Sequence, residues 1–170
     1  INDLDRAIEL DPENHQAYNN RGYLYGTLGQ FQEAIADLDR AIEIDQHHAF
    51  VKFAEAYANR GLIHRQLGDL QLAIEDLDQA INIDPRYAAA YNNRGLAYAD
   101  LGQYRRAIQD YDQALLLNPS DVQAYLNRGV AYRNLGQPEQ AVLDAGEAMR
   151  LDPQRAGAYA LRALAYTLIG

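Results

Sequence analysis

Apolar residues recur three and four positions apart along the chain, break off at a glycine or a proline, and then resume. Tyr18, Gly22 and Tyr25 share one helical face, and Ala34, Leu38 and Ala41 share another a short stretch later. Between the two runs stands "LGQ" or "LGD", and after the second stands "DP" or "NP". Glycine ends a helix in the left-handed conformation, and a residue before proline is steered out of α-helical backbone, so the pattern predicts helices in pairs. Pro138, just after Gly136, falls in the first turn of its helix, where the missing N–H is no loss.

The pairs repeat. "AYNNRG" stands at 17–22 and again at 90–95, with "AYANRG" at 56–61 and "AYLNRG" at 124–129. Gly22 and Gly61 are 39 apart, whereas Gly61, Gly95 and Gly129 follow at intervals of 34, and Gly29, Gly68, Gly102, Gly136 and Gly170 keep the same register. Fixed periods of this size mean stacked supersecondary units, each too small to bury its apolar face alone. The expected division is a second helix of a truncated repeat over 1–14, full repeats over 15–48, 49–87, 88–121 and 122–155, and a first helix over 156–170. About ten helices result, in a single array read as a portion of a longer one.

Gly22, Tyr25, Ala34, Ala41 and their echoes along the whole chain resemble the tetratricopeptide repeat (TPR) family. The resemblance implies an all-α fold, a right-handed α-solenoid of antiparallel helix pairs whose first helices line the concave face of a superhelix. The likeness is to bacterial-type arrays. Two features depart from the common pattern: tyrosine stands where tryptophan is frequent (Tyr18, Tyr57, Tyr91, Tyr125, Tyr159), and arginine precedes the glycine. Pentatricopeptide repeats, the RNA-reading relatives, differ by about one residue in period and suit an acidic chain poorly.

Composition narrows the partners. With 15 Lys and Arg against 24 Asp and Glu, the net charge of -9 disfavours nucleic acid and anionic membrane. The absence of cysteine excludes disulfides, thiolate metal sites and a cysteine nucleophile, and leaves the compartment unreadable, a cytoplasmic location being favoured. Most carboxylates fall in the second helices, as in "DLDRAIEID", which reads as a solvated acidic outer face and leaves a less negative groove.

Each arginine before the glycine (Arg21, Arg60, Arg94, Arg128, Arg162) points into an apolar surface and needs a counter-charge. The second helices offer Asp3, Asp37, Asp76, Asp110 and Asp144. If each aspartate pairs with the arginine of the following repeat, all ten are satisfied; this arrangement is the expectation.

The asparagines have no such duty. Asn20, Asn59, Asn93 and Asn127 lie opposite the Tyr and Gly face, with Asn19 and Asn92 beside two of them. An asparagine two before the glycine resembles the ladder with which some family members hold the backbone of an extended peptide, since a carboxamide both donates and accepts. The alternative is that these side chains only bond a neighbouring helix or water. The same face carries Tyr23, Leu62, Leu96, Val130 and Leu164, with Arg65 and Arg133 a turn further on. The family's carboxylate clamp needs lysine three before a glycine and asparagine one after; neither column holds them here.

The longer interval comes from "DQHHAFVKFAEAYANRG", which also has Gln46 where the other repeats have proline. Phe50, Phe53 and Tyr57 are three and four apart, so the insertion is expected to lengthen the first helix of its repeat, with Phe50 and Phe53 either capping the core or forming a partner patch. Of the histidines, His15, His47, His48 and His64, no pair has metal-ligand spacing on one face, and neither a phosphate loop nor a "GxSxG" or "HExxH" motif occurs. No cofactor or metal is expected, and an enzyme is not. The function implied is a protein-binding scaffold that holds an extended peptide segment in its groove. The rivals are a module assembling head to tail through its half-repeats, a form of self-association, and a recruiting arm for a catalytic domain outside this chain.

Overall fold

A computed structural model describes residues 1–47 and 53–170. Among the described residues there are ten helices and no strands: α1 (Asn2–Leu10), α2 (His15–Thr27), α3 (Phe31–His47), α4 (Ala54–Leu67), α5 (Leu70–Ile83), α6 (Ala88–Asp100), α7 (Tyr104–Leu117), α8 (Val122–Asn134), α9 (Pro138–Leu151) and α10 (Ala156–Ile169). None is long and apolar enough to cross a membrane.

The chain falls into two compact units, Ile1–Tyr87 and Ala88–Gly170. Within the first, α2 packs on α3, α3 on α4 and α4 on α5, and the first helices α2 and α4 also touch; α1 lies against α2. Within the second, α6 packs on α7, α7 on α8, α8 on α9 and α9 on α10, and α8 touches both α6 and α10. Hairpins of helices with short turns thus stack side by side in each unit.

The turns and the close approaches come from glycine. Gly68 ends α4 with φ 88°, a conformation that costs any residue with a Cβ, and its N–H closes on the carbonyl of Arg65. Gly61, in mid-helix, is there for space instead, because a Cβ at this position would lie 3.0 Å from the Ala73 carbonyl oxygen and 2.9 Å from Leu77 Cγ. Glycine lets α4 and α5 meet backbone to side chain at this point, above a core of small residues. Ala34, Leu38, Ala41, Ile42, Ala56 and Ile63 form one buried cluster in the first unit, and Ala73, Ile74, Leu77 and Ala80 of α5 are buried as well. In the second, Ala107, Ile108, Tyr111 and Ala131 form one cluster, and Leu126, Ala141, Ala145, Ala148, Ala158, Leu161 and Ala165 another.

The insertion behaves differently from expectation. α4 begins at Ala54, seven residues before Gly61, just as α2 begins at His15, seven before Gly22, so the first helix gains nothing. The second helix gains instead. α3 has 17 residues where α5, α7 and α9 have 14. These three end at Ile83, Leu117 and Leu151, and the capping residue of each, Asp84, Asn118 or Asp152, stands directly before a proline; with Gln46 in that place, no proline stops α3. Phe53 caps α4, packs among Tyr18, Tyr57 and the first unit's core, and sets its ring edge-on to His15 at 5.1 Å. It is half-buried, and Phe50 lies outside the described residues.

Candidate functional site

The arginines hold the frame. Arg60 grips the aspartate of its own repeat with two parallel bonds, Nε to Asp76 Oδ2 at 2.9 Å and Nη2 to Asp76 Oδ1 at 2.6 Å, and sends Nη1 to Asp39 of the preceding repeat at 2.6 Å. Arg21 does the same with Asp37 and Asp5, and Arg128 with Asp144 and Asp112. Arg94 makes the paired bonds to Asp110. This corrects the expected pairing of Asp37 with Arg60. Residues two apart on a helix project about 200° apart, so in "DLD" the first aspartate faces its own first helix and the second reaches the next.

Burial of Asp37, Asp76, Asp110 and Asp144 makes these partners obligatory. Hydrogen bonds to Asp76 raise the Arg60 guanidinium above its ordinary value against the opposing effect of burial. Tyrosines complete the cage: the rings of Tyr125 and Tyr132 lie 5.5 and 5.9 Å from the Arg128 guanidinium carbon, and Tyr57 lies 5.6 Å from that of Arg60. His64 takes the second tyrosine's place in its repeat, with Nε2 3.8 Å from Asp76 Oδ2.

With this frame fixed, the exposed sides of consecutive first helices enclose a notch in each unit. In the first unit it lies between α2 and α4, measures about 240 Å³, and is lined by Tyr23, Gly26, Thr27, Asn59, Leu62, Ile63 and Gln66. In the second it lies between α6 and α8, measures about 340 Å³, and is lined by Leu96, Ala99, Asp100, Asn127, Val130, Ala131 and Asn134, with Tyr104 and Tyr111 of α7. Counted from the repeat glycines, the first seven positions are the same in both. Tyr23 answers to Leu96, Leu62 to Val130 and Asn59 to Asn127; Gly26 answers to Ala99, Thr27 to Asp100, Ile63 to Ala131 and Gln66 to Asn134.

Six of the residues singled out in the sequence therefore come together, three to a notch. Tyr23 is 48% exposed and Val130 38%, so apolar surface is open to solvent at both. The asparagines are partly committed. Asn59 Nδ2 donates to Asn19 Oδ1 at 2.9 Å, and Asn127 Nδ2 donates to Asn92 Oδ1 at 3.1 Å, each tying one first helix to the one before it. Asn19, only 3% exposed, is a helix-to-helix acceptor and does not present itself to a ligand, contrary to expectation. Asn20 accepts from Gln16, and Arg133 donates to Asn134 at 3.2 Å. Asn20, Asn93, Arg65 and Arg133 are not among the residues lining either notch.

Gly26, Ile63, Asp100 and Ala131 were not singled out in the sequence. They stand four, two and five residues after their repeat glycines, and aligning those columns would have exposed the alternation of Gly26, Arg65, Ala99 and Arg133. Among the described residues no group of His, Asp and Glu could hold a metal ion.

Helix hairpins locked at a fixed period by an arginine and two aspartates define a helical-repeat protein with its variable surface on the first helices. Models of the tetratricopeptide repeat match residues 15–48, 88–121 and 110–142, a TPR repeat model matches 61–102, and a model of the protein prenyltransferase alpha subunit repeat matches 1–28. The chain belongs to the tetratricopeptide repeat family. Its fold is similar to that in the crystal structure of MamA, at 28% identity and TM-score 0.75 over 90% of this chain and 86% of that one. It is similar also to YrrB, described as a TPR protein with an unusual peptide-binding site, at 21% identity and TM-score 0.73 over 94% and 80% of the two chains. The first TPR of Spaghetti (RPAP3), bound to the HSP90 peptide SRMEEVD, matches at 28% identity and TM-score 0.65 over 69% of this chain and 94% of that one.

Proposed function

We propose that the chain is a protein-interaction scaffold that binds an extended segment of a partner protein on the exposed side of first helices, where each unit offers a notch for a side chain. The observation that carries this reading is the recurrence of the same seven positions around an open, partly apolar notch in both units. Apolar surface left open at homologous places marks a surface for interaction. Asn59 and Asn127 stand at the rims. Each spends one amide hydrogen on a neighbouring helix, which leaves a second hydrogen to meet a peptide carbonyl. The peptide-bound state of the RPAP3 domain supports binding of a peptide as the mode. Lysine is absent from the clamp positions, which hold Asn19, Ala58, Asn92 and Leu126, so the segment is held by its backbone and its apolar side chains rather than by a terminal carboxylate.

The test is selection of binders from a displayed library of random peptides, followed by affinity measurement against a Leu62→Asp, Val130→Asp variant whose helical circular dichroism matches that of the parent. Placing a carboxylate in each apolar wall should weaken the selected peptides by about tenfold or more. Unchanged affinity would refute binding at the notches.

A further inference from the structure

Two charges of the arginine frame stand without their counter-charge. α1 and α3 carry the same seven residues, "DLDRAIE", at 3–9 and 37–43. Asp5 of α1 bonds Arg21 at 2.7 Å as Asp39 of α3 bonds Arg60 at 2.6 Å, so α1 stands toward α2 as α3 stands toward α4. In that register Asp3 answers to Asp37, the aspartate that Arg21 grips with two bonds. Asp3 projects about 200° round the helix from Asp5, away from Arg21. It is exposed and meets no cation among the described residues. Arg162 of α10 is its complement. Tyr159 lies 5.9 Å from the Arg162 guanidinium carbon, as Tyr125 lies 5.5 Å from that of Arg128, yet among the described residues no carboxylate reaches it.

The apolar surfaces match in the same way. Leu38, Ala41 and Ile42 of α3 are buried, with Tyr18 and Tyr25 of α2 packed on their cluster. Their counterparts in α1, Leu4, Ala7 and Ile8, are only partly buried. The counterparts of the two tyrosines, Tyr159 and Tyr166 of α10, are 45% and 55% exposed. Each helix bares the apolar surface and the charge that the other would cover.

We infer that the chain associates head to tail, α10 of one copy receiving α1 of a second, with Arg162 gripping Asp3 across the contact as Arg21 grips Asp37 within the chain. Such a contact is heterologous, so each copy keeps one face open for another. The paired bonds of an arginine to a carboxylate have a fixed geometry, and they set the register of the two helices. One position opposes the fit. A Cβ at Gly22 would lie 2.8 Å from Leu38 Cγ, and the residue at the repeat-glycine position of α10 is Ala163. Its methyl group holds Leu4 of the second copy off and keeps the association weak.

Sedimentation velocity of the full chain should show a mass that rises with concentration. Arg162→Asp and Asp3→Arg should each weaken the association about tenfold or more, since each sets like charges face to face. An equal mixture of the two variants should associate again, because opposite charges then meet at both faces. Ala163→Gly should tighten the association about threefold by relieving the contact with Leu4. A chain that stays monomeric at every concentration would overturn the proposal. So would an association that ignores both charge reversals, or a mixture that fails to associate although each variant keeps the parent's helical circular dichroism. None of these outcomes touches the peptide-binding reading, since Asp3, Arg162 and Ala163 line neither notch.

Discussion

At the junction of α7 and α8, Asp112 crosses from one repeat to bond Arg128 of the next at 2.7 Å; at the junction of α9 and α10, sixteen residues before Arg162, the same position is Gly146. Among the described residues the Arg162 guanidinium meets only the ring of Tyr159, at 5.9 Å. α9 and α10 nevertheless pack closely, through Ala145, Ala148, Ala158, Leu161 and Ala165. The comparison separates two effects that the other arginines combine. Small buried side chains bring consecutive repeats together, and the aspartate that crosses fixes the angle of a guanidinium already gripped by its own repeat.

The largest effect should come from breaking the grip itself. Arg128→Ala strands Asp144, which is buried, and removal of one partner of a buried pair costs about 3–5 kcal/mol. Arg162→Ala, with no carboxylate to strand, should cost less than about 1 kcal/mol, the range of exposed charge contacts. Urea unfolding of the two variants measures the contrast, and equal losses would mean that the grip is not what stabilises the repeat. The sign of the pH dependence follows from the raised guanidinium of Arg60, held by its bonds to Asp76 against the effect of burial. A raised folded value means stabilisation that is complete below the ordinary arginine range and is lost only as pH rises through the folded value. The arginine grip should therefore contribute equally at pH values from neutral to about 10, judged by the gap between wild-type and Arg60→Ala midpoints.

Much of this frame is legible in the residues. The repeat glycines, the helix ends at "LGQ" and the need of a buried arginine for a carboxylate follow from spacing and from the cost of a buried charge, although Arg162 has none. Which aspartate answers which arginine does not. "DLD" places two carboxylates on opposite sides of a helix, and only the packing angle between helices decides which side meets its own repeat. Gln46 is a visible absence of proline, yet its consequence, a longer α3 rather than a longer α4, depends on the register at which α4 restarts. The notch walls, Tyr23 with Leu62 and Leu96 with Val130, were readable as a column; their floors were not, because Gly26 and Ile63 come from different repeats and meet only when α2 and α4 pack. The bond from Asn59 to Asn19 is hidden for the same reason.

A smaller effect tests the crossing bond by creating it. A Cβ on Gly146 would meet no heavy atom within 4 Å, so a side chain fits there without repacking. Gly146→Asp should be more stable than Gly146→Asn by about 0.5–1 kcal/mol, the worth of a partly exposed ion pair, if the carboxylate reaches Arg162 as Asp112 reaches Arg128. Asparagine is the proper control because it matches aspartate in shape and in helix propensity, leaving only the charge. The difference should disappear when Arg162 is replaced by methionine, which closes a double-mutant cycle around the pair.

The smallest effect is the reverse operation at the junction that already has the bond. Asp112 is 48% exposed at its side chain, so Asp112→Asn should lose only about 0.5 kcal/mol, since water screens the pair and Asp144 still holds Arg128 from the other side. A loss as large as that of Arg128→Ala would show that the crossing aspartate, and not the buried one, anchors the guanidinium. The two junctions would then differ in kind, and the apolar contacts between α9 and α10 would have to carry alone what the ion pair carries between α7 and α8.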